Sequence, residues 1–125
     1  MKFMSQEHEQ RYEELMKRGR GVRPEDCERI PVMYILSGNK DLYYKADDLY
    51  DFKKGYFKLN RVEDERGNTR VKWLVPLSSS ERVMTTLAFD IFSGEDNVGV
   101  HELFRVLDRY NTRLALRTIE LAYMC

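Results

Sequence analysis

The sequence predicts a mainly α-helical α+β domain, a compact bundle of about five helices with a small β-hairpin inserted near residues 55–75. Three observations predict it. An apolar stripe of Val83, Met84, Leu87, Ala88, Ile91 and Phe92 recurs at helical spacing between a Ser78–Glu81 capping signature and Gly94. Between Asp51 and Pro76 the pattern changes to two extended runs separated by a polar Gly67-Asn68 turn. The remaining apolar segments are short and bounded by capping residues or glycines.

Taken in order, Ser5 caps a first helix over about Gln6–Lys17, with Glu7 and Glu9 at the positive end of its dipole and Lys17 and Arg18 at the other. Its apolar face is thin: Tyr12, Leu15 and Met16. Pro24 opens a short helical turn, and Pro31 forces a second start there because it lacks an amide proton. Val32, Met33, Ile35 and Leu36 are the central core candidates. Asn39 caps a helix over about Lys40–Asp48. Tyr56, Phe57, Leu59 and Val62 form one extended run, and Val71, Trp73, Leu74 and Val75 the other. Ser78 starts the strong helix that Gly94 ends. Gly99 precedes a short helix carrying Leu103 and Leu107, and Asp108 or Asn111 caps a last one through about Tyr123.

A chain of 125 residues suits a single domain, since domains cluster at roughly 100–150 residues. Hydrophobic residues at 42% and charged residues at 34% are a globular balance. Lys+Arg and Asp+Glu both number 21, so no global field attracts nucleic acid, and a phosphate-binding site would have to be a local basic patch. The N-terminus turns charged at once, without the apolar core of a signal peptide, and no apolar run approaches the ~18 residues that span a bilayer. The expected location is therefore the cytoplasm, with no membrane partner. Cys27 and Cys125 are expected to be free thiols in a reducing compartment, Cys125 able to cross-link chains only in vitro.

Catalytic chemistry finds little to work with. His8 and His101 are the only histidines, and they lack ligand partners at short spacing. No glycine-rich phosphate loop is present; Gly19 and Gly38 read as helix stops. Ser78–Ser80 with His101, or Cys27 with His101, can be drawn as dyads, but a serine run before a helix is ordinarily a cap. No cofactor, metal site or enzymatic activity is expected.

Recognition residues are more plentiful. Tyr43, Tyr44, Tyr50, Phe52, Tyr56 and Phe57 crowd into fifteen residues, interleaved with lysines and aspartates. Such a mixed-sign aromatic surface suits a protein partner, with Tyr43, Tyr44, Tyr50, Tyr56, Trp73 and hairpin-tip Arg66 as the expected contacts. The alternative is nucleic acid, tracked by Arg105, Arg109, Arg113 and Arg117 at steps of four. Against that stands an ordinary solvated face, with Arg105 paired to Glu102 and Arg117 to Glu120. Oligomeric state is left open, a homodimer included.

Several stretches taken together resemble a known family: Met4-Ser-Gln-Glu-His-Glu-Gln-Arg-Tyr12, Tyr34-Ile-Leu-Ser-Gly-Asn-Lys-Asp-Leu-Tyr43, Leu49-Tyr-Asp-Phe52, Ser78-Ser-Ser-Glu-Arg82, Leu87-Ala-Phe-Asp-Ile-Phe-Ser-Gly94, and then Leu103-Phe104, Leu107-Asp108 and Leu114-Ala-Leu116. In that order they are similar to a small family of bacterial and phage proteins of unknown function. The resemblance implies a phage or mobile-element setting and carries over no catalytic residue. Combined with the aromatic surface, it yields the expected function: a non-catalytic protein-binding module, in its most concrete form an inhibitor of a host defence nuclease.

Overall fold

A computed structural model describes residues 1–19 and 21–125. Among these are seven helices: α1 (Gln6–Arg18), α2 (Arg29–Gly38), α3 (Lys40–Tyr44), α4 (Ala46–Leu49), α5 (Ser79–Ser93), α6 (Val100–Val106) and α7 (Arg109–Tyr123). Two antiparallel hairpins lie between α4 and α5: β1 (Tyr50–Asp51) with β2 (Tyr56–Phe57), and β3 (Leu59–Glu63) with β4 (Thr69–Trp73). The predicted class is correct, but the helix count rises, in part because the segment expected as one helix over Lys40–Asp48 breaks at Lys45. The single expected hairpin is likewise two, because the extended run through Tyr56 and Leu59 is interrupted at Lys58. No helix among the described residues is long and apolar enough to cross a membrane.

The middle of the fold is α2. Every residue from Ile30 to Gly38 is buried, packed among α1, α3, α5 and α7. A helix apolar on all sides belongs in an interior. Pro31 does not restart it: Pro31 sits in the first turn, where backbone amides have no intrahelical acceptor anyway. The other end needs more help, because a buried helix C-terminus leaves carbonyls away from water. Side chains from three helices supply donors. The Tyr34 carbonyl is bonded by His8 Nε2 at 2.9 Å and by Ser37 Oγ at 3.0 Å. Arg11 Nε donates to the Ser37 carbonyl at 2.7 Å, and the Tyr110 hydroxyl to the Gly38 carbonyl at 2.6 Å.

At Gly38, α2 packs tightly against α7. A Cβ there would overlap the Leu114 methyls, lying 2.8 Å from one of them, and would come 3.1 Å from His8 Nε2. Gly38→Ala is therefore expected to destabilise the protein by about 1–3 kcal/mol, the usual cost of overpacking. Urea denaturation measures it, and a smaller penalty in a Leu114→Ala background would locate the clash.

The long helices follow their caps. Ser78 and Glu81 form the reciprocal capping box at the start of α5, and Gly94 ends it at φ 73°, a left-handed conformation that suits glycine. Glu81 is buried and also accepts from Lys45 Nζ at 2.9 Å, so the cap ties α5 to the α3–α4 junction. Asp108 caps α7 by accepting from the Asn111 amide at 2.8 Å.

The hairpins complete an aromatic core. Tyr50, Phe52, Phe57, Trp73, Phe89 and Phe92 meet mostly edge to face with ring centroids 5.0–6.3 Å apart. Two residues expected at a partner interface, Tyr50 at 1% exposure and Trp73 at 9%, are core residues. The strand alternation points both rings inward, and Trp73 Nε1 spends its one donor on Thr86 Oγ1 at 3.1 Å. The cysteines also depart from expectation. Cys27 and Cys125 are not free thiols but are joined as a disulfide, their Cα atoms 5.9 Å apart across 98 residues of sequence. The packing of α2 on α7 sets the turn before one beside the end of the other.

Candidate functional site

The C-terminal end of α1, α4 and the β1–β2 turn enclose a cleft of about 460 Å³. Tyr50 and Phe52 form its apolar floor, and Lys17, Arg18, Asp47, Lys53 and Lys58 stand around it. Arg18 organises the wall. Its guanidinium lies 5.5 Å from the Tyr43 ring and 5.8 Å from the Phe52 ring, bonds Glu14, and reaches Asp47 at 3.4 Å. Burial loosens the proton on this guanidinium, but the bond to Glu14 and the Glu14 and Asp47 charges outweigh it, and the net effect holds the proton more tightly than usual. The Tyr43 hydroxyl donates to the same Glu14 carboxylate at 2.9 Å.

The acids of the cleft are already engaged. Asp47 faces Arg18. Asp51 Oδ1 accepts from the amides of Lys54 at 2.8 Å and Lys53 at 3.0 Å, and these bonds, that of Lys54 first, hold its carboxyl below the usual range. Lys17 and Lys53 have no carboxylate within 4.0 Å among the described residues. The cleft therefore presents free ammonium groups over an aromatic floor.

Two of the expected contacts lie beside its rim without lining it. Tyr44 is 71% exposed, its ring 5.7 Å from that of Tyr43, and Tyr56 is 47% exposed, paired in the β-ladder with Asp51. Tyr43 itself is half-buried behind Arg18. Arg66 is exposed at the tip of the second hairpin, in a separate hollow with Asp64 and Arg70. Lys17 and Arg18 escaped attention in the sequence because basic residues in a last turn are accounted for by the helix dipole; only the tertiary position of α1 turns them towards Phe52.

The four arginines of the expected stripe do not share one environment. Arg105, Arg109 and Arg113 are exposed, and none has a carboxylate within 4.0 Å among the described residues. Glu102 pairs with Arg82 at 3.3 Å rather than with Arg105. Arg117 leaves the stripe: it is half-buried and donates to the Phe3 carbonyl at 3.3 Å and to Met4 Sδ at 3.2 Å, pinning the N-terminal segment. The drawn dyads are not assembled, since Ser78 is a cap and Cys27 is in the disulfide. Among the described residues no three His, Cys, Asp or Glu side chains gather as metal ligands would.

A family described only as of unknown function, DUF6075, matches residues 1–124. The chain belongs to DUF6075. The match runs through Glu63–Trp73, the stretch that the quoted motifs pass over. Neither a curated protein nor a solved structure matches this DUF6075 chain.

Proposed function

We propose that this DUF6075 chain is a non-catalytic protein-binding module whose contact face runs from Tyr44 across the Phe52-floored cleft to Tyr56. The observation that carries the reading is the exposure of Tyr44 at 71% beside a cleft that joins aromatic surface to unpaired cations. Large, stiff amphipathic side chains left in water next to a concavity are the usual anchors of a protein interface. In the phage or mobile-element setting implied by the sequence resemblance, the partner would be a host defence nuclease and the module its inhibitor, working in the cytoplasm.

The second reading has its own support: Arg105, Arg109 and Arg113 are exposed and free of acidic partners, as a phosphate-contacting patch requires. A pull-down from host lysate with and without nuclease separates the two. The first reading expects a stoichiometric protein that survives nuclease and moderate salt. Tyr44→Ala with Tyr56→Ala should weaken its capture at least tenfold, by about 1.4 kcal/mol or more, while leaving the circular dichroism unchanged. Nucleic acid as the sole companion, released by salt and by Arg109→Glu with Arg113→Glu, would replace the first reading with the second.

A further inference from the structure

We infer that Cys27 and Cys125 form a reversible thiol–disulfide site, a latch that fastens the end of α7 to the turn before α2 and that a small-molecule disulfide or dithiol can close and open. The Cα separation of 5.9 Å lies in the middle of the range that a disulfide spans without moving the backbone. Both sulfurs can be approached: Cys125 is exposed and Cys27 only half-buried. Exchange needs that access, because a thiolate must reach a sulfur in line with the bond it breaks.

The two segments the latch joins have little else to hold them. Past the last helical turn, the backbone keeps one bond, from the Met124 amide to the Glu120 carbonyl at 2.9 Å, while Tyr123 and Met124 are 73% and 79% exposed. The turn before α2 is held by short-range contacts: the Asp26 amide to the Arg23 carbonyl at 3.0 Å, and Asp26 Oδ1 to the amides of Glu28 and Arg29. Beneath the latch lies a hollow of about 610 Å³ whose walls include Ile30, Tyr34, Arg117 and Leu121. The core does not depend on the latch, since the buried length of α2 and its side-chain-capped end are made by α1, α5 and α7. Opening the bond therefore frees the two edges of this hollow and leaves the fold in place.

The closing reaction balances with an oxidised low-molecular-weight disulfide, RSSR, as oxidant. The Cys125 thiolate attacks one sulfur of RSSR, forming a mixed disulfide and expelling RS⁻. The Cys27 thiolate then attacks Sγ of Cys125, forming the Cys27–Cys125 bond and expelling a second RS⁻. The two thiol protons pass to the two RS⁻ groups. Two protein thiols are oxidised, one disulfide is reduced, and opening is the reverse with a thiol in excess.

The test equilibrates the full chain in mixtures of reduced and oxidised glutathione, traps free thiols with a maleimide and reads the products by mass spectrometry. The expected result is one two-thiol transition within a monomer, yielding a Cys27–Cys125 peptide that Cys27→Ser abolishes. Hydrogen exchange on the reduced chain should quicken by about tenfold or more at residues 23–28 and 121–125, with α2 and α5 still protected. Thiols that stay free at every ratio, or pair only between chains, would overturn the site. Reduction that deprotects α2 and α5 together with the ends would overturn the latch and make the bond part of the global fold.

Discussion

Asp90→Ala is expected to remove about 3 kcal/mol of stability and to release the loop between α5 and α6. Asp90 is 7% exposed, near the C-terminal end of α5. Its carboxylate accepts from the Asn97 amide, Asn97 Nδ2 and the Val98 amide, each at 2.8 Å. Val98, 8% exposed, is thereby held against the core. Truncation removes the acceptor of three donors, and for the buried Val98 amide an unmade hydrogen bond costs more than a made one contributes. Burial pushes the Asp90 carboxyl above the usual range, only partly offset by these three bonds. Its titration therefore favours the fold at low pH, and that contribution fades as pH rises through the elevated value. Asp90→Asn, its carbonyl oxygen in the Oδ2 position, keeps the acceptor for both backbone amides and loses that for Asn97 Nδ2, and should cost about half as much. Urea unfolding gives the magnitudes, and exchange at the Asn97 and Val98 amides gives the location. A loss below about 1 kcal/mol would show that the loop repacks around the missing carboxylate.

The second large effect is acid destabilisation through His8. His8 is fully buried; its Nδ1 accepts from the Met4 amide at 3.0 Å, which places the proton on Nε2 facing the Tyr34 carbonyl. Burial pushes its pKa down to about 4, opposed by the Tyr34 carbonyl and assisted by the nearby Arg11 and Arg117 charges. A protonated imidazole would lose the acceptor that holds Met4. The unfolded chain binds this proton from pH 6.5 downwards and the folded chain only near 4. The stability contribution is thus complete above pH 6.5, falls as pH drops towards 4, and is flat below. The gap corresponds to about 3 kcal/mol. Carboxyls held low, such as Glu81, add their own loss as pH falls from the ordinary carboxylate value through their depressed one. His8→Gln retains a donor for Tyr34 and should flatten the slope between pH 6.5 and 4.5, while lowering stability at pH 7. An unchanged slope in that variant would assign the acid sensitivity to other groups.

Both residues show where a sequence is mute. Asp90 sits inside the strongest apolar stripe of the chain, where an acid reads as a helix-face exception, and the loop it holds is recognisable only once Asn97 has turned back on α5. His8 lies on a helix whose other residues are mostly charged, so its pattern says surface. It is buried because the C-terminal turn of α2 arrives there with a carbonyl needing a donor.

Among the candidate contacts the division is similar. Adjacency shows that Tyr43 and Tyr44 cannot both turn inward, but not that Tyr44 is the exposed one or that Tyr56 faces out where Tyr50 does not. Which rings turn inward was decided by ladder register: Tyr50 opposite Phe57 and Leu59 opposite Trp73 put those aromatics on the α5 side. Arg117 satisfies the four-residue spacing of its neighbours, yet its environment is set by the N-terminal segment more than a hundred residues earlier.

By itself, then, the sequence determined the helix boundaries at Ser5, Ser78, Gly94 and Gly99, narrowed the last start to Asp108 or Asn111, and determined the break in character after Asp51 and the core positions of α2 and α5. These are local properties: a cap bonds an amide three residues away, and an apolar stripe needs only its own periodicity. Tertiary structure alone decided the burial of His8, the removal of Tyr50 and Trp73 from the surface, the engagement of Arg117 by the N-terminal segment, the cleft between Arg18 and Phe52, and the joining of Cys27 to Cys125. Each depends on two segments distant in the chain meeting at one point, and the energy of that meeting is written in neither segment alone.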